Sequence, residues 1–376
     1  MERMDRCVFP LLRRLIRTPF SALRGRAQRR GRAGKQGGAD SFWSWREEMY
    51  ELALSLTPES IFEVSRVAFR ELYQAGVRTV GEFHYVHHDG NGAPFSDRTV
   101  MSDRVIEAAR AEGLRISLLR VAYARAGFEK KAEGAQLRFV DGSVDSVLRD
   151  VETLRAKYVN DPDVKIGIAP HSVRAVSPEW IRDLAAHAAK HDLPFHMHVA
   201  EQTREIEECL AETGLRPVDL LEREGALGSR TTLVHATHLT EEEAAKVGSA
   251  RAYACICATT ERDLGDGLPN LGALRKHGAR LCVGVDSHVI CDPLEEMRSL
   301  ELLERLRTEK RVTFEGDETP AASLFRSASH TSAEACGFAD AGSTIAIDRT
   351  HASLALVHDE DLLDAIVFGG RADLFR

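Results

Sequence analysis

The 376-residue sequence lacks the features that mark several classes of protein. It has no apolar run near the ~20 residues of a membrane-spanning helix, so we expect no membrane segment. Its seven cysteines are an odd number spread over a long chain, which argues against a disulfide framework and for a reducing, cytoplasmic location. Cys255 and Cys257 have no second pair with which to form a zinc ribbon, and they fit buried positions on a strand better.

Outside the first tenth of the chain, basic residues are outnumbered by acidic ones. Residues 1–38 hold eleven Lys or Arg and two acidic residues, whereas residues 39–376 hold 39 basic and 56 acidic side chains. Nucleic acid binding requires clustered Lys and Arg, so the acidic body excludes nucleic acid as the main partner. Residues 1–38, called the basic head below, therefore differ in composition from the rest of the chain.

The body alternates between short buried strands and amphipathic helices. This alternation, without hairpin signals, predicts a parallel sheet and an α/β fold of the (β/α)8 TIM-barrel type. The predicted strands are 79–83, 114–123, 164–170, 194–199, 231–236, 252–259 and 280–286, and the predicted helices are 58–76, 102–112, 143–157, 178–190, 203–212, 240–247 and 293–307.

Only seven barrel strands are visible, so the first should precede residue 52, degraded or missing within the basic head. Residues 319–336 look helical, and the alternating pattern of 343–358 predicts a remnant of a small β domain. The predicted division is therefore a poorly ordered basic segment at 1–40, a barrel at 41–338 and a β remnant at 339–376.

Polar side chains follow the predicted strands at the end where such barrels build active sites. His198, His235 and Asp286 come from three different strands and form an N/O set typical of a catalytic zinc with an open position. Glu201, three residues after His198, could move protons without binding the metal. A single histidine at a strand end is more often a hydrogen-bonded core residue. The metal hypothesis therefore depends on the three residues lying together at one end of the barrel.

Two further groups are candidates for substrate contact. Arg46 and Arg174 could each hold a carboxylate through two hydrogen bonds, although an isolated arginine usually forms a surface salt bridge. His84, His87 and His88 form a cluster after a strand, for which substrate contact or structural hydrogen bonding is expected rather than metal binding.

Seven segments in order resemble the formimidoylglutamate deiminase branch of the amidohydrolase superfamily. They are SFWSWREEMY (41–50), EFHYVHHDG (82–90), PHSVRAV (170–176), HMHVAEQ (196–202), LVHATHL (233–239), TTERDLGDG (259–267) and GVDSH (284–288). The resemblance implies zinc-dependent hydrolysis of the formimino C=N bond of N-formimidoyl-L-glutamate to N-formyl-L-glutamate and ammonia, a step of histidine catabolism.

The resemblance also implies residue roles. His198 and Asp286 would be zinc ligands, Asp286 and Glu201 would transfer protons, and His235 would polarise the reacting carbon. The positions implied to hold the carboxylates and formimino group of this small dicarboxylate are Arg46, Tyr85, His171 and Arg174. The resemblance also implies one Zn²⁺ per chain and a homodimer.

The sequence departs from that family at the first strand, where two further zinc ligands belong in a His-x-His motif. The first histidine of the chain is His84, and residues 15–22 (LIRTPFSA) stand where the motif belongs. One hypothesis is a shifted reading frame, since suitable codons for these residues encode HSHAFQR two bases later. We therefore expect weak zinc binding and low or absent activity. The alternatives are a deaminase of a nucleobase or guanidino compound, and a non-catalytic pseudoenzyme.

Overall fold

The computed structural model describes residues 54–287, 290–316, 318–340 and 344–375, together with the backbone of residues 6–7 and 9–13. Eight parallel strands form one sheet in chain order. They are β2 (Phe9–Arg13), β3 (Val77–His84), β4 (Arg115–Ala122), β5 (Val164–Pro170), β6 (Phe195–Val199), β7 (Thr231–His235), β8 (Tyr253–Ile256) and β9 (Arg280–Val283).

The sheet curls into a barrel because its first and last strands come together. Strand β2 runs parallel to β3, with Leu12 beside Gly81, and it also lies against β9. All eight residues of β3 are buried, as expected for a strand covered on both faces. The predicted α/β barrel is confirmed.

The first barrel strand comes from the basic head, where the strand count placed it. It is a short strand over the backbone of Phe9–Arg13, as expected for a degraded rather than a missing first strand. The predicted division into a segment at 1–40, a barrel at 41–338 and a β remnant at 339–376 stays a prediction. Strand pairing depends on backbone hydrogen bonds, which a foreign side-chain composition does not remove.

The predicted helices lie on the outside of the barrel, and several begin at recognisable caps. Helix α1 starts after Thr57, whose side chain accepts a hydrogen bond from Ser60 in a capping box. The main helices are α1 (Pro58–Gln74), α2 (Val100–Ala111), α3 (Val144–Tyr158), α4 (Pro178–Lys190), α5 (Thr203–Thr213), α6 (Pro217–Arg223), α7 (Glu241–Ser249), α8 (Ala258–Leu264), α9 (Leu271–Lys276), α10 (Pro293–Thr308) and α11 (Pro320–Arg326). No helix in these described parts of the chain is both long and apolar enough to cross a bilayer.

The C-terminal segment contains much less strand than its alternating pattern predicts. Among the described residues of this segment, only Ile345–Ala346 form a strand, β10, which pairs antiparallel with β1 (Arg6–Cys7). The strand then ends because the carboxylate of Asp348 accepts hydrogen bonds from the amide and hydroxyl of Thr350, which closes a turn. The expected β stretch at 343–358 is wrong beyond this point.

Candidate active site at the barrel mouth

The predicted site lies where β6, β7 and β9 end. His198 is the second-last residue of β6, His235 is the last residue of β7, and Asp286 follows β9. Near these ends, Ala200, His235, Ala236 and Asp286 all have positive φ angles of 51–70°, a conformation that costs non-glycine residues energy. Such strain concentrates at functional sites, so the backbone itself marks this edge of the sheet.

The ring of His198 is held in one orientation. Its Nδ1 donates to the backbone carbonyl of His171 at 2.7 Å, and the two imidazoles stack with ring centres 4.5 Å apart and planes within 10°. Since a carbonyl can only accept, Nδ1 carries the proton and Nε2 has the free lone pair. This is the arrangement in which a histidine binds a metal through Nε2.

His235 lies among carboxylates. Its Nε2 is 3.3 Å from Glu201 Oε1 and 3.9 Å from Asp286 Oδ2, while its Nδ1 is hydrogen-bonded to Glu261 Oε1 at 3.1 Å. The Cys257 amide also donates to that oxygen of Glu261. Burial, and then the negative charges of nearby carboxylates including Asp286, raise the pKa of Glu261 well above its ordinary value. The buried Glu261 thereby fixes the imidazole with Nε2 toward Glu201.

Arg174 links Glu201 to a second glutamate. Its guanidinium donates to Glu205 Oε2 at 3.0 Å and to Glu201 Oε2 at 3.4 Å. Burial disfavours the charge of Arg174, but the two carboxylates outweigh it and raise the pKa of the guanidinium. Glu205 also accepts from the backbone amide of Ala200 at 2.8 Å. Burial raises the pKa of Glu205 to about 7, with Arg174 opposing and Glu201 adding to that shift.

Aromatic rings form one wall of the site. Tyr85 packs edge-on against Phe139 and His171, with ring centres 5.3 and 5.8 Å apart, and Tyr123 lies 4.5 Å from the ring of His171. Phe83 contacts His198 edge-on at 4.6 Å. The predicted substrate positions Tyr85 and His171 therefore share one wall with a candidate metal ligand.

The structure thus gathers most of the predicted site residues, and their roles stay predictions. Arg46 lies outside the described residues, as do residues 15–22. Of the two roles expected for the histidine cluster, the structure shows hydrogen bonding: His87 and His88 bond to backbone carbonyls at 3.2 Å. Burial and the charge of Arg120 lower the pKa of His84 to about 3.

Two carboxylates of the site are not among the residues predicted from the sequence. Glu205 lies four residues after Glu201, at the start of α5, and it points back at Ala200 and Arg174. Asp266 offers an oxygen within 4.8 Å of donor atoms of Glu201 and His235. In the sequence Glu205 resembles an ordinary acidic residue of a first helical turn, and no local pattern distinguishes Asp266 from a loop acid.

Comparison with known proteins agrees with this geometry. The model of the amidohydrolase family matches residues 25–369 of the chain. The chain belongs to the amidohydrolase family.

Individual amidohydrolases are similar over much of the chain. Formimidoylglutamate deiminase of Pseudomonas aeruginosa is 39% identical over 85% of this chain and 69% of its own length. 8-Oxoguanine deaminase of the same organism is 32% identical over 70% of this chain and 58% of its own length. A solved amidohydrolase structure from Brucella melitensis superposes with a TM-score of 0.85 at 32% identity, covering 98% of this chain and 84% of that one. The predicted class, a hydrolase of C–N bonds, is confirmed.

The donor atoms of this amidohydrolase only partly fit the four-ligand zinc site that the resemblance implies. His198 presents Nε2 and Asp286 lies at the same mouth, but the sequence has no histidine before His84 to supply the other two ligands. Donor atoms of Glu201, His235 and Asp266 lie within 4.8 Å of one another, as do those of His235, Cys257 and Glu261. These sets could hold a cation, but neither contains His198 and Asp286.

Proposed function

We propose that this chain carries the site of a formimidoylglutamate deiminase with an incomplete metal centre. The intact reaction adds water to the formimino C=N bond of N-formimidoyl-L-glutamate and releases ammonia and N-formyl-L-glutamate. The observation that carries the proposal is the convergence of His198, Glu201, His235 and Asp286 on one barrel mouth beside Arg174.

Arg174 supports an acidic substrate. Its side chain is one quarter exposed, so the guanidinium can meet a ligand while Glu205 fixes it from behind. A guanidinium held in this way can bind a carboxylate through two parallel hydrogen bonds. Arg46 would supply a second such group for a substrate with two carboxylates.

Glu201 is placed for proton transfer. It lies between the charged Arg174 and the imidazole of His235, 6% exposed and within reach of both. A carboxylate in this position can take a proton from attacking water and give it to a departing nitrogen. His235, fixed by Glu261, can donate to or polarise the group that reacts next to Glu201.

The missing ligands set the expected level of activity. Structural and catalytic zinc sites use three or four protein ligands, and a pair alone binds weakly. The test is elemental analysis of the purified chain together with ammonia release from N-formimidoyl-L-glutamate. We expect far less than one zinc per chain and little ammonia; one zinc per chain with rapid turnover would contradict the proposal.

A repaired chain provides the matched comparison. Replacing residues 16–22 by His-Ser-His-Ala-Phe-Gln-Arg restores the two histidines, and sequencing the gene upstream of codon 40 shows whether another frame encodes them. We expect the repaired chain to gain zinc and ammonia release. A repaired chain that binds zinc but leaves N-formimidoyl-L-glutamate unchanged would instead favour another substrate.

A second substrate class is supported by the similarity to 8-oxoguanine deaminase. The same ammonia assay with guanine or 8-oxoguanine in place of N-formimidoyl-L-glutamate separates the two. Release only from the purine would replace the proposal, and release from neither by the repaired chain would favour a non-catalytic protein. We also propose that the chain forms a homodimer and is located in the cytoplasm.

A further inference from the structure

A second group of metal-binding side chains lies on the outer surface of the barrel. Glu152 belongs to α3, while His187 lies in α4 and His191 caps its C-terminus. One donor atom from each residue lies within 4.8 Å of the other two. These helices follow β4 and β5, so the group is built by elements that contribute none of the catalytic candidates His198, Glu201, His235 and Asp286.

The two imidazoles are placed as a pair by helix geometry. Residues four apart share one face of a helix, and the ring centres of His187 and His191 are 4.5 Å apart. A neutral imidazole keeps the lone pair that a metal requires.

Glu152 is already held beside this pair. Its Oε1 accepts from Arg155 at 2.6 Å and lies 2.8 Å from His187 Nε2. Among the described residues no hydrogen bond reaches Oε2 of Glu152, and the side chain is about half exposed, so solvent ions can approach it. A cation at Nε2 of His187, with the imidazole proton on Nδ1, would meet three preset donors.

We propose that Glu152, His187 and His191 form a surface site for a divalent transition-metal ion that bridges α3 and α4. Two nitrogen donors and one carboxylate oxygen suit Zn²⁺, Ni²⁺ and Cu²⁺, whereas Mg²⁺ and Ca²⁺ prefer oxygen donors. The site is independent of the proposed deiminase chemistry, and its ion would stabilise the packing of the two helices.

The chain contains a matched control for this site. His277 lies 2.9 Å from Glu241 Oε1, and Lys276 contacts the same oxygen at 2.6 Å. This arrangement repeats the imidazole, the carboxylate and the neighbouring cation of the proposed site but has no second imidazole. Tight binding should therefore depend on His187 and His191 and not on His277.

The experiment titrates the full-length, chelator-stripped chain with Zn²⁺ in the His235→Asn background, which removes the histidine common to both candidate donor sets at the barrel mouth. We expect one ion per chain, about tenfold or weaker binding after either His187→Gln or His191→Gln, and unchanged binding after His277→Gln. Electron paramagnetic resonance of the Cu²⁺ complex should show two nitrogen ligands, reduced to one by His191→Gln.

Unchanged Zn²⁺ affinity in the double variant His187→Gln/His191→Gln would overturn the proposal, as would binding that is equally lost in His277→Gln. Circular dichroism and the urea midpoint check that each variant is folded. Glu152→Gln provides a second route, because it removes the carboxylate charge while leaving both imidazoles. It should also weaken Zn²⁺ binding, and an unchanged affinity would remove Glu152 from the site.

Discussion

Replacing Arg120 by methionine should test a buried ion cluster that lies behind the site. The Arg120 side chain, 1% exposed, donates to both oxygens of Asp141 at 3.1 and 2.6 Å and to Asp150 at 2.8 Å. Asp141 also accepts a 3.4 Å hydrogen bond from the amide of Tyr123, whose ring packs on His171. The cluster therefore supports the aromatic wall of the site.

The expected cost follows from what each carboxylate retains. Asp150 keeps Arg98, which donates to its two oxygens at 2.7 and 3.0 Å, so it stays paired. Asp141 is fully buried, and within the part of the chain that the structure describes it keeps only the weak hydrogen bond from the Tyr123 amide. Leaving one buried carboxylate without its cation costs about 3–5 kcal/mol, a large part of the about 5–15 kcal/mol that stabilises a typical protein.

Urea unfolding at pH 7, followed by circular dichroism, measures this loss. Arg104→Met is the control, because Arg104 and Glu107 are both about half exposed and their ion pair is worth at most about 1 kcal/mol. The double variant Arg120→Met/Asp141→Leu should recover part of the loss, since an apolar pair leaves no charge buried. A single-variant loss no larger than that of Arg104→Met would refute the reasoning.

Two further predictions concern buried positions outside the metal sites. Burial raises the pKa of Glu296 to about 8 despite hydrogen bonds from Thr259, so this group favours folding below about pH 4.5 and that contribution is lost as the pH rises through about 8. As the pH rises from 5 to 8.5, the free energy of unfolding of Glu296→Gln should therefore increase relative to that of the natural chain, by on the order of a few kcal/mol in urea titrations. Parallel pH profiles of the two proteins would contradict this. Gly248→Ala should lower the unfolding free energy by about 1–3 kcal/mol although alanine favours helices, because its Cβ would overlap the carbonyl oxygen of His277. A neutral or positive change would show that the backbone yields easily.

Strand and helix positions were predictable wherever the pattern repeated. The runs at 164–170 and 178–190 coincide with β5 and α4, since apolar periodicity and a proline after Ser177 are local signals. The run at 252–259 was only partly right, because β8 ends at Ile256 and α8 begins at Ala258. The turn between them brings Glu261 beneath His235, and such a tertiary contact leaves no periodic trace.

The candidate site shows the same division between local and distant causes. His198, His235 and Asp286 were identifiable because the ends of parallel strands meet at one edge of a sheet. Glu205 was not identifiable, because its place in the site depends on hydrogen bonds from the Ala200 amide and the Arg174 guanidinium. The first strand was predictable only by counting, because a barrel requires a neighbour for both β3 and β9.

The left-handed residues at the strand ends bear on how this chain would respond to selection. Ala200, Ala236 and His235 have positive φ angles without being glycine, and each such residue costs about 1 kcal/mol or more. Selection for thermal stability alone should therefore replace them by glycine or asparagine, which adopt this conformation readily. Selection that also rewards turnover should keep His235, so a parallel evolution experiment would reveal which of these positions the chemistry still requires.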